Sequence, residues 1–325
     1  MMMLLVVLII LLGIVVLVQI LRVNELLSEV KNQDANLVTD EDNQTQGLLF
    51  FLIAGVTFLS LFVWQIKYWG IHILPPASSV HGATIDTLMN FTMGLIIFVF
   101  FLTQPLLTWF AYKYRGNSNR KAYFYHHNNK LELFWTVIPT LVLTPVIIYG
   151  LNVWNEITSS DNTGAKVIEL YAQQFNWTAR YSGEDDTLGV ADFRLVEGFN
   201  MLGVDMQDQH ALDDVVTREV HLVVNEPVLL KMRSQDVIHS AFLPHFRVQM
   251  NCVPGMVTQF PFIPTQTTKQ MKEQEGEDFE FTLLCNKICG AAHYNMKMTF
   301  IVETQEEFNK WISSQETLKT SLTLN

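Results

Sequence analysis

Cys285-Asn286-Lys287-Ile288-Cys289-Gly290-Ala291-Ala292-His293-Tyr294-Asn295-Met296 is the stretch on which the reading of the chain turns. It gathers two thiols, an imidazole and a thioether, and uses two of the chain's three cysteines. Soft sulfur and imidazole donors together favour copper over magnesium or calcium. The same residues have blander uses: Cys and Met often only pack an apolar strand, and Cys-x3-Cys can close a disulfide or supply half a zinc site. Zinc takes Cys or His ligands, which leaves Met296 unexplained. Covalent haem wants C-x-x-C-H, which Cys289 and His293 do not match. A further imidazole, His239, stands upstream in Asp236-Val237-Ile238-His239-Ser240, whereas Cys252 reads as a small buried hydrophobe.

Around this loop the chain reads as short strands. KVIELYAQQFNWTARY, REVHLVVNEPVLLKMRS, GMVTQFPFI, FEFTLLC and MKMTFIVE, all after Lys166, alternate apolar and polar residues, with Pro, Gly and Asn between them. That pattern predicts an all-β sandwich or barrel. An acidic segment rich in Gly and Met, about 183–216, reads as a surface insertion. The tail after Glu303 reads as a short helix anchored by Trp311.

Before Lys166 the character changes. Residues 3–21 are almost unbroken apolar, close to the ~20 residues that cross a bilayer. No positive charge precedes this run and no A-x-A site follows, so it reads as a span rather than a signal peptide. A second run, Gly47 to Ile66, follows an acidic connector and ends on Lys67, Tyr68 and Trp69, an interfacial signature. A third runs from about Asp86 to Tyr112 and a fourth from about Leu133 to Val153. Four spans are therefore expected. The connection between the last two carries Lys113, Arg115, Arg120, Lys121 and Lys130, which places it in the cytoplasm and the β-domain outside. The domain plan is two N-terminal helices with their acidic connector (1–66), a transmembrane hairpin (67–154) and an extracytoplasmic domain (155–325).

Composition agrees with a membrane protein: 49% of the 325 residues are hydrophobic and the mean hydropathy is +0.20. The net charge of -11 comes with no basic stripe, which argues against nucleic acid and for a cationic protein partner. Three cysteines do not make a disulfide framework.

Four segments together resemble subunit II of the haem-copper cytochrome c oxidases: ELFWTVIP at 132–139, YAQQFNW at 171–177, DVIHSAFLPHFRVQMNCVPGM at 236–256 and the Cys285 loop. The likeness covers roughly Pro75 to Val302. It implies a cupredoxin-like fold for the β-domain and a binuclear copper A (CuA) centre. In that centre Cys285 and Cys289 would bridge two coppers, His239 and His293 would bind one each, Met296 would be a weak axial ligand, and the Lys287 carbonyl would complete the set. The family's hairpin corresponds to spans three and four, so the first two spans are additional to it.

The resemblance further implies a subunit I carrying haem and CuB, a subunit III and other subunits, a c-type cytochrome as donor, and a bacterial inner membrane with the β-domain in the periplasm. Glu132 matches the entrance of a proton pathway into subunit I. Asp236 is either a cytochrome-facing acid or a cap for the turn before His239. Two positions depart from the family pattern. Lys287 stands where a glutamate usually also binds magnesium, and an ammonium offers no acceptor to a hard cation. Phe175 replaces the usual electron-entry tryptophan; Trp177, two residues on, is expected on the same strand face, either in electron entry or in the core. This suggests a different docking mode, such as a membrane-bound cytochrome. A quinol oxidase subunit would keep the fold but lack the copper ligands, and a copper chaperone would need exposed, exchangeable ligands and no Glu132-type feature.

Overall fold

Long apolar runs satisfy their own backbone groups as helices, the solution that lipid demands of a single-segment span. The protein is described from a computed structural model over residues 2–30, 38–68, 70, 74–158 and 162–319, with the side chains of 2–10, 24 and 28 outside the description; Trp69 also lies outside it. Helices α1 (Met2–Val30), α2 (Asp40–Tyr68), α3 (Val80–Lys113) and α4 (Asn129–Thr158) precede the β-domain. Among the described residues three helices, α2, α3 and α4, are long and apolar enough to cross a membrane. The second, third and fourth expected spans are these three; the first, residues 3–21, lies largely outside the described side chains.

The chain forms two compact units. One comprises 1–70 and 97–128, the other 71–96 and 129–325. In the first, α2 begins where Thr39 and Asp42 exchange hydrogen bonds, Asp42 N–H to Thr39 Oγ1 at 3.1 Å and Thr39 N–H to Asp42 Oδ2 at 2.9 Å. Asp40, Glu41 and Asp42 in its first turn and Lys67 in its last complement the helix dipole. Phe58 and Phe62 of α2 pack on Phe101 of α3 at ring separations of 5.4 and 4.5 Å. In the second unit, Pro139 and Pro145 lie within α4, and Arg247 ties the β-domain to the start of α3 through Asp86, at 2.7 and 2.9 Å.

The β-domain contains β1 (Lys166–Gln173), β2 (Asn176–Tyr181), β3 (Val215–Thr217), β4 (Val220–Val223), β5 (Val228–Ser234), β6 (His239–Leu243), β7 (Val248–Cys252), β8 (Thr258–Phe262), α5 (Thr268–Glu275), β9 (Phe281–Cys285), β10 (Lys297–Glu303) and α6 (Gln305–Ile312). The strands form two sheets, ordered β3-β2-β1-β5-β8 and β4-β10-β9-β6-β7. Alternate residues of each, among them Ile168, Leu170, Trp177, Leu230, Phe281 and Phe300, fill one shared core. Burying side chains of this size removes about 1.5–3 kcal/mol of exposure cost each.

The outer face of the first sheet holds a charged cluster. Arg180 meets Glu169 at 2.8 Å and Asp214 at 2.7 Å, and Arg233 meets Glu169 at 2.6 Å. Residues 182–214 cover it: the Gly189 carbonyl accepts from Arg180 and the Leu202 carbonyl from Arg233, each at 2.9 Å. Strand alternation calls such outward positions solvent-facing; here the insertion buries them.

Candidate metal centre

Pairing between strands brings distant donors together. β6 opens on His239, β9 closes on Cys285, and Ala241 lies opposite Cys285 in their antiparallel ladder. The loop returns to its start: Cys285 N–H donates to Met296 O at 3.1 Å, and Asn286 N–H to Ser240 O at 3.0 Å. A 3-10 turn over His293–Asn295 aims His293 back at the sulfurs.

Two thiols form the middle, with Cys285 Sγ 3.8 Å from Cys289 Sγ, almost twice the ~2.05 Å of a disulfide. On one side of the pair, Cys285 Sγ lies 3.8 Å from His239 Nδ1 and 3.3 Å from Lys287 O. On the other, Cys289 Sγ lies 3.6 Å from His293 Nδ1 and 3.9 Å from Met296 Sδ. Each sulfur thus has one imidazole and one weaker donor. This soft, two-sided set suits a pair of coppers sharing both thiolates, and its thioether and carbonyl members do not suit a four-ligand zinc site. Burial, with Cys285 beside it, pushes the Cys289 thiol up to about 11, so a bound cation would be needed to hold it as a thiolate. The third cysteine, Cys252, sits opposite His239 in the β6–β7 ladder, with its thiol pushed by burial to about 12.

Asp236 supports this geometry from behind. Its carboxylate lies 2.9 Å from His239 Nε2 and accepts from the Gln174 and Val237 N–H groups, each at 2.7 Å. Partial burial works against its charge, but these bonds hold its carboxyl below the usual range. A carboxylate at Nε2 places the ring proton there and leaves the Nδ1 lone pair facing the sulfurs. The Gln174 side-chain amide donates to Cys289 O at 2.5 Å, clasping the loop from the β1–β2 turn. In the Asp236→Asn form we expect copper retention to fall by roughly 10–100-fold in chelator competition, since such supporting acceptors typically contribute that much.

The aromatics fall differently from the expectation of a shared strand face. Gln174 and Phe175 make the two-residue turn between Gln173 and Asn176, which resets the alternation. Phe175 is half-buried against Gly290, where a Cβ would come within 2.8 Å of its ring. Trp177 is 1% exposed, in the core, with its ring 6.2 Å from that of His239. Lys287 is exposed on the loop, and Glu132 lies in the first turn of α4, away from the sulfur pair in sequence. The three-residue step from Asp236 to His239 signals their link in the sequence, whereas the bond from Gln174 to Asp236 has no sequence signal.

The chain matches the family model for the transmembrane domain of cytochrome c oxidase subunit II over residues 64–153 and that for the periplasmic domain over 166–304. It is 32% identical to the alternative cytochrome c oxidase subunit 2 of Bradyrhizobium diazoefficiens over 72% of this chain and 80% of that one. It is 24% identical to the cytochrome c oxidase subunit 2 of a Synechocystis species over 82% of each chain. The solved periplasmic domain of cytochrome oxidase subunit II from Bradyrhizobium japonicum aligns at 21% identity over 46% of this chain and 93% of its own, with a TM-score of 0.31. The family implies a CuA copper centre, and the donor set around Cys285 and Cys289 fits one. The chain belongs to the cytochrome c oxidase subunit II family: it is the membrane-anchored electron-entry subunit of that oxidase, with its β-domain on the periplasmic side.

Proposed function

We propose that this chain receives electrons from a c-type cytochrome in the periplasm and delivers them to haem in subunit I, where oxygen reduction is coupled to proton pumping. In this reading His239, Cys285, Lys287 through its carbonyl, Cys289, His293 and Met296 hold two coppers. The observation that carries it is the gathering of these six donors about one pair of sulfurs. A bound CuA pair supplies one-electron redox chemistry with little change of geometry, which keeps the cost of reorganisation low.

The chain's own residues provide the setting. Asp236 fixes the tautomer of His239, Gln174 holds the Cys289 carbonyl, and the core strands exclude water from both thiols. Phe175, half-buried against Gly290, would be the aromatic on the donor side of the centre, with Trp177 behind it in the core beside His239. A phenylalanine in the entry position favours a donor that docks in its own way, such as a membrane-bound cytochrome. Segment 1–66 is an addition to the hairpin and β-domain, and subunit III and further subunits complete the assembly.

Electron entry is tested in membranes carrying the His239→Ala form. A small-molecule reductant should still reduce haem, whereas the periplasmic cytochrome should not. Equal haem reduction by the cytochrome in both forms would contradict the reading.

Two finer roles have their own tests. Glu132 stands at the mouth of the proton pathway, so Glu132→Ala should slow proton uptake while copper content stays unchanged; unchanged uptake opposes the role. Lys287 replaces the acidic magnesium ligand, so the magnesium is absent or held otherwise, with the lysine charge in its place. Metal analysis of the complex should find no magnesium coordinated through this loop.

A further inference from the structure

We propose that the cytoplasmic connection between α3 and α4 is a lipid-binding element, docking on the anionic phospholipid headgroups of the inner leaflet. From Lys113 to Lys130 the chain carries Lys113, Arg115, Arg120, Lys121 and Lys130 and not one Asp or Glu, in a protein whose net charge is -11. Positive charge is concentrated here against the trend of the molecule, which calls for an acidic partner.

The connection has two halves with different physics. Residues 113–120 are folded onto their neighbours. Ser118 N–H donates to Asp40 Oδ1 at 2.7 Å, and its hydroxyl donates to the other oxygen. Arg115 lies 4.6 Å over the Tyr112 ring, and Arg120 donates to Lys113 O at 3.1 Å. The acidic first turn of α2 is partly used up in this, since Asp40 serves Ser118 and Asp42 serves Thr39.

Residues 121–127 instead present aromatic rings outward. Tyr123, Phe124 and Tyr125 are 86%, 86% and 63% exposed. Tyr123 and Tyr125 lie 5.9 Å apart, and Phe124 stacks on His126 at 5.1 Å, so each side of the extended ribbon bears a ring pair. Three consecutive exposed aromatics would be an aggregation hazard in water. They are at home in the headgroup region, where amphipathic rings partition.

Position decides the occupant. The ribbon joins the ends of two membrane-spanning helices, so it is held at the hydrocarbon edge. Cations beside a span are drawn to the acidic lipids of the cytoplasmic leaflet, and that attraction fades within a Debye length. Lys121 and Lys130 bracket the rings in sequence. The inference stands apart from the copper site and survives or fails without it.

The test uses the assembled oxidase in phosphatidylcholine bilayers containing spin-labelled phosphatidylglycerol or spin-labelled phosphatidylcholine. The native complex should prefer the anionic probe. The combined Arg120→Gln, Lys121→Gln and Lys130→Gln form should lose that preference several-fold, with haem and copper content unchanged. An undiminished preference would overturn the proposal. If the triple form does not assemble, Lys121→Gln alone is read in the same way. Independently, benzoylphenylalanine in place of Phe124 should photo-crosslink to lipid in native membranes; a crosslink to another oxidase subunit would overturn the proposal.

Discussion

Cys289→Ser oxidase should lose both coppers together and accept electrons from its cytochrome more than ~100-fold more slowly, since removing even a supporting partner costs up to about that much. Cys289 Sγ is the atom that all of one side of the site faces, with His293, Met296 and Cys285 each within 3.9 Å. A serine hydroxyl keeps the shape but is a hard donor that stays protonated at neutral pH, so it neither binds copper well nor bridges two ions. Copper analysis and donor-driven haem reduction read the result. Cys252→Ala is the control: that thiol is fully buried behind His239 and has no place among the donors, so its removal should leave copper content unchanged. Retention of one copper with native electron input in Cys289→Ser would mean that the sulfurs are not shared.

The second large effect concerns stability rather than chemistry. Arg180→Met should destabilise the β-domain by about 3–5 kcal/mol, because it strands buried carboxylates without a partner. Arg180 is 2% exposed and joins Glu169 to Asp214, and one oxygen of Asp214 already lacks a hydrogen bond. Burial on its own would raise the pKa of Glu169, yet Arg180 and Arg233 together hold it below the usual carboxylate range. Without Arg180, one guanidinium must serve that acid and none serves Asp214. Denaturant unfolding of the purified oxidase, followed by the near-ultraviolet signal of the β-domain, measures the loss. Lys166→Ala is the comparison, since the Lys166–Asp186 pair is largely solvated and should contribute little. Equal effects of the two substitutions would remove the cluster from any structural role.

These two sites differ in how far the sequence discloses them. The copper donors are legible because five of the six fall within twelve consecutive residues, where type and spacing speak directly to ligand chemistry. The spans are legible for a similar reason, as unbroken apolar runs need no partner to be recognised. The Glu169–Arg180–Arg233–Asp214 cluster was hidden, because its members come from three strands and an insertion, and alternation alone marks outward positions as wet. Counting two residues on from Phe175 puts Trp177 on the same face, but the two-residue turn between β1 and β2 breaks that count. Strands β6 and β7 lie within residues 236–256, and the sequence signal for α5 is the capping box between Thr267 and Gln270.

Electron paramagnetic resonance of the purified oxidase, with copper counted on the same sample, addresses the centre most directly. The account predicts a single unpaired electron divided evenly between two copper nuclei, lost when Cys285 or Cys289 is replaced. A spectrum from one isolated copper bound to this chain, or zinc in its place, would contradict it.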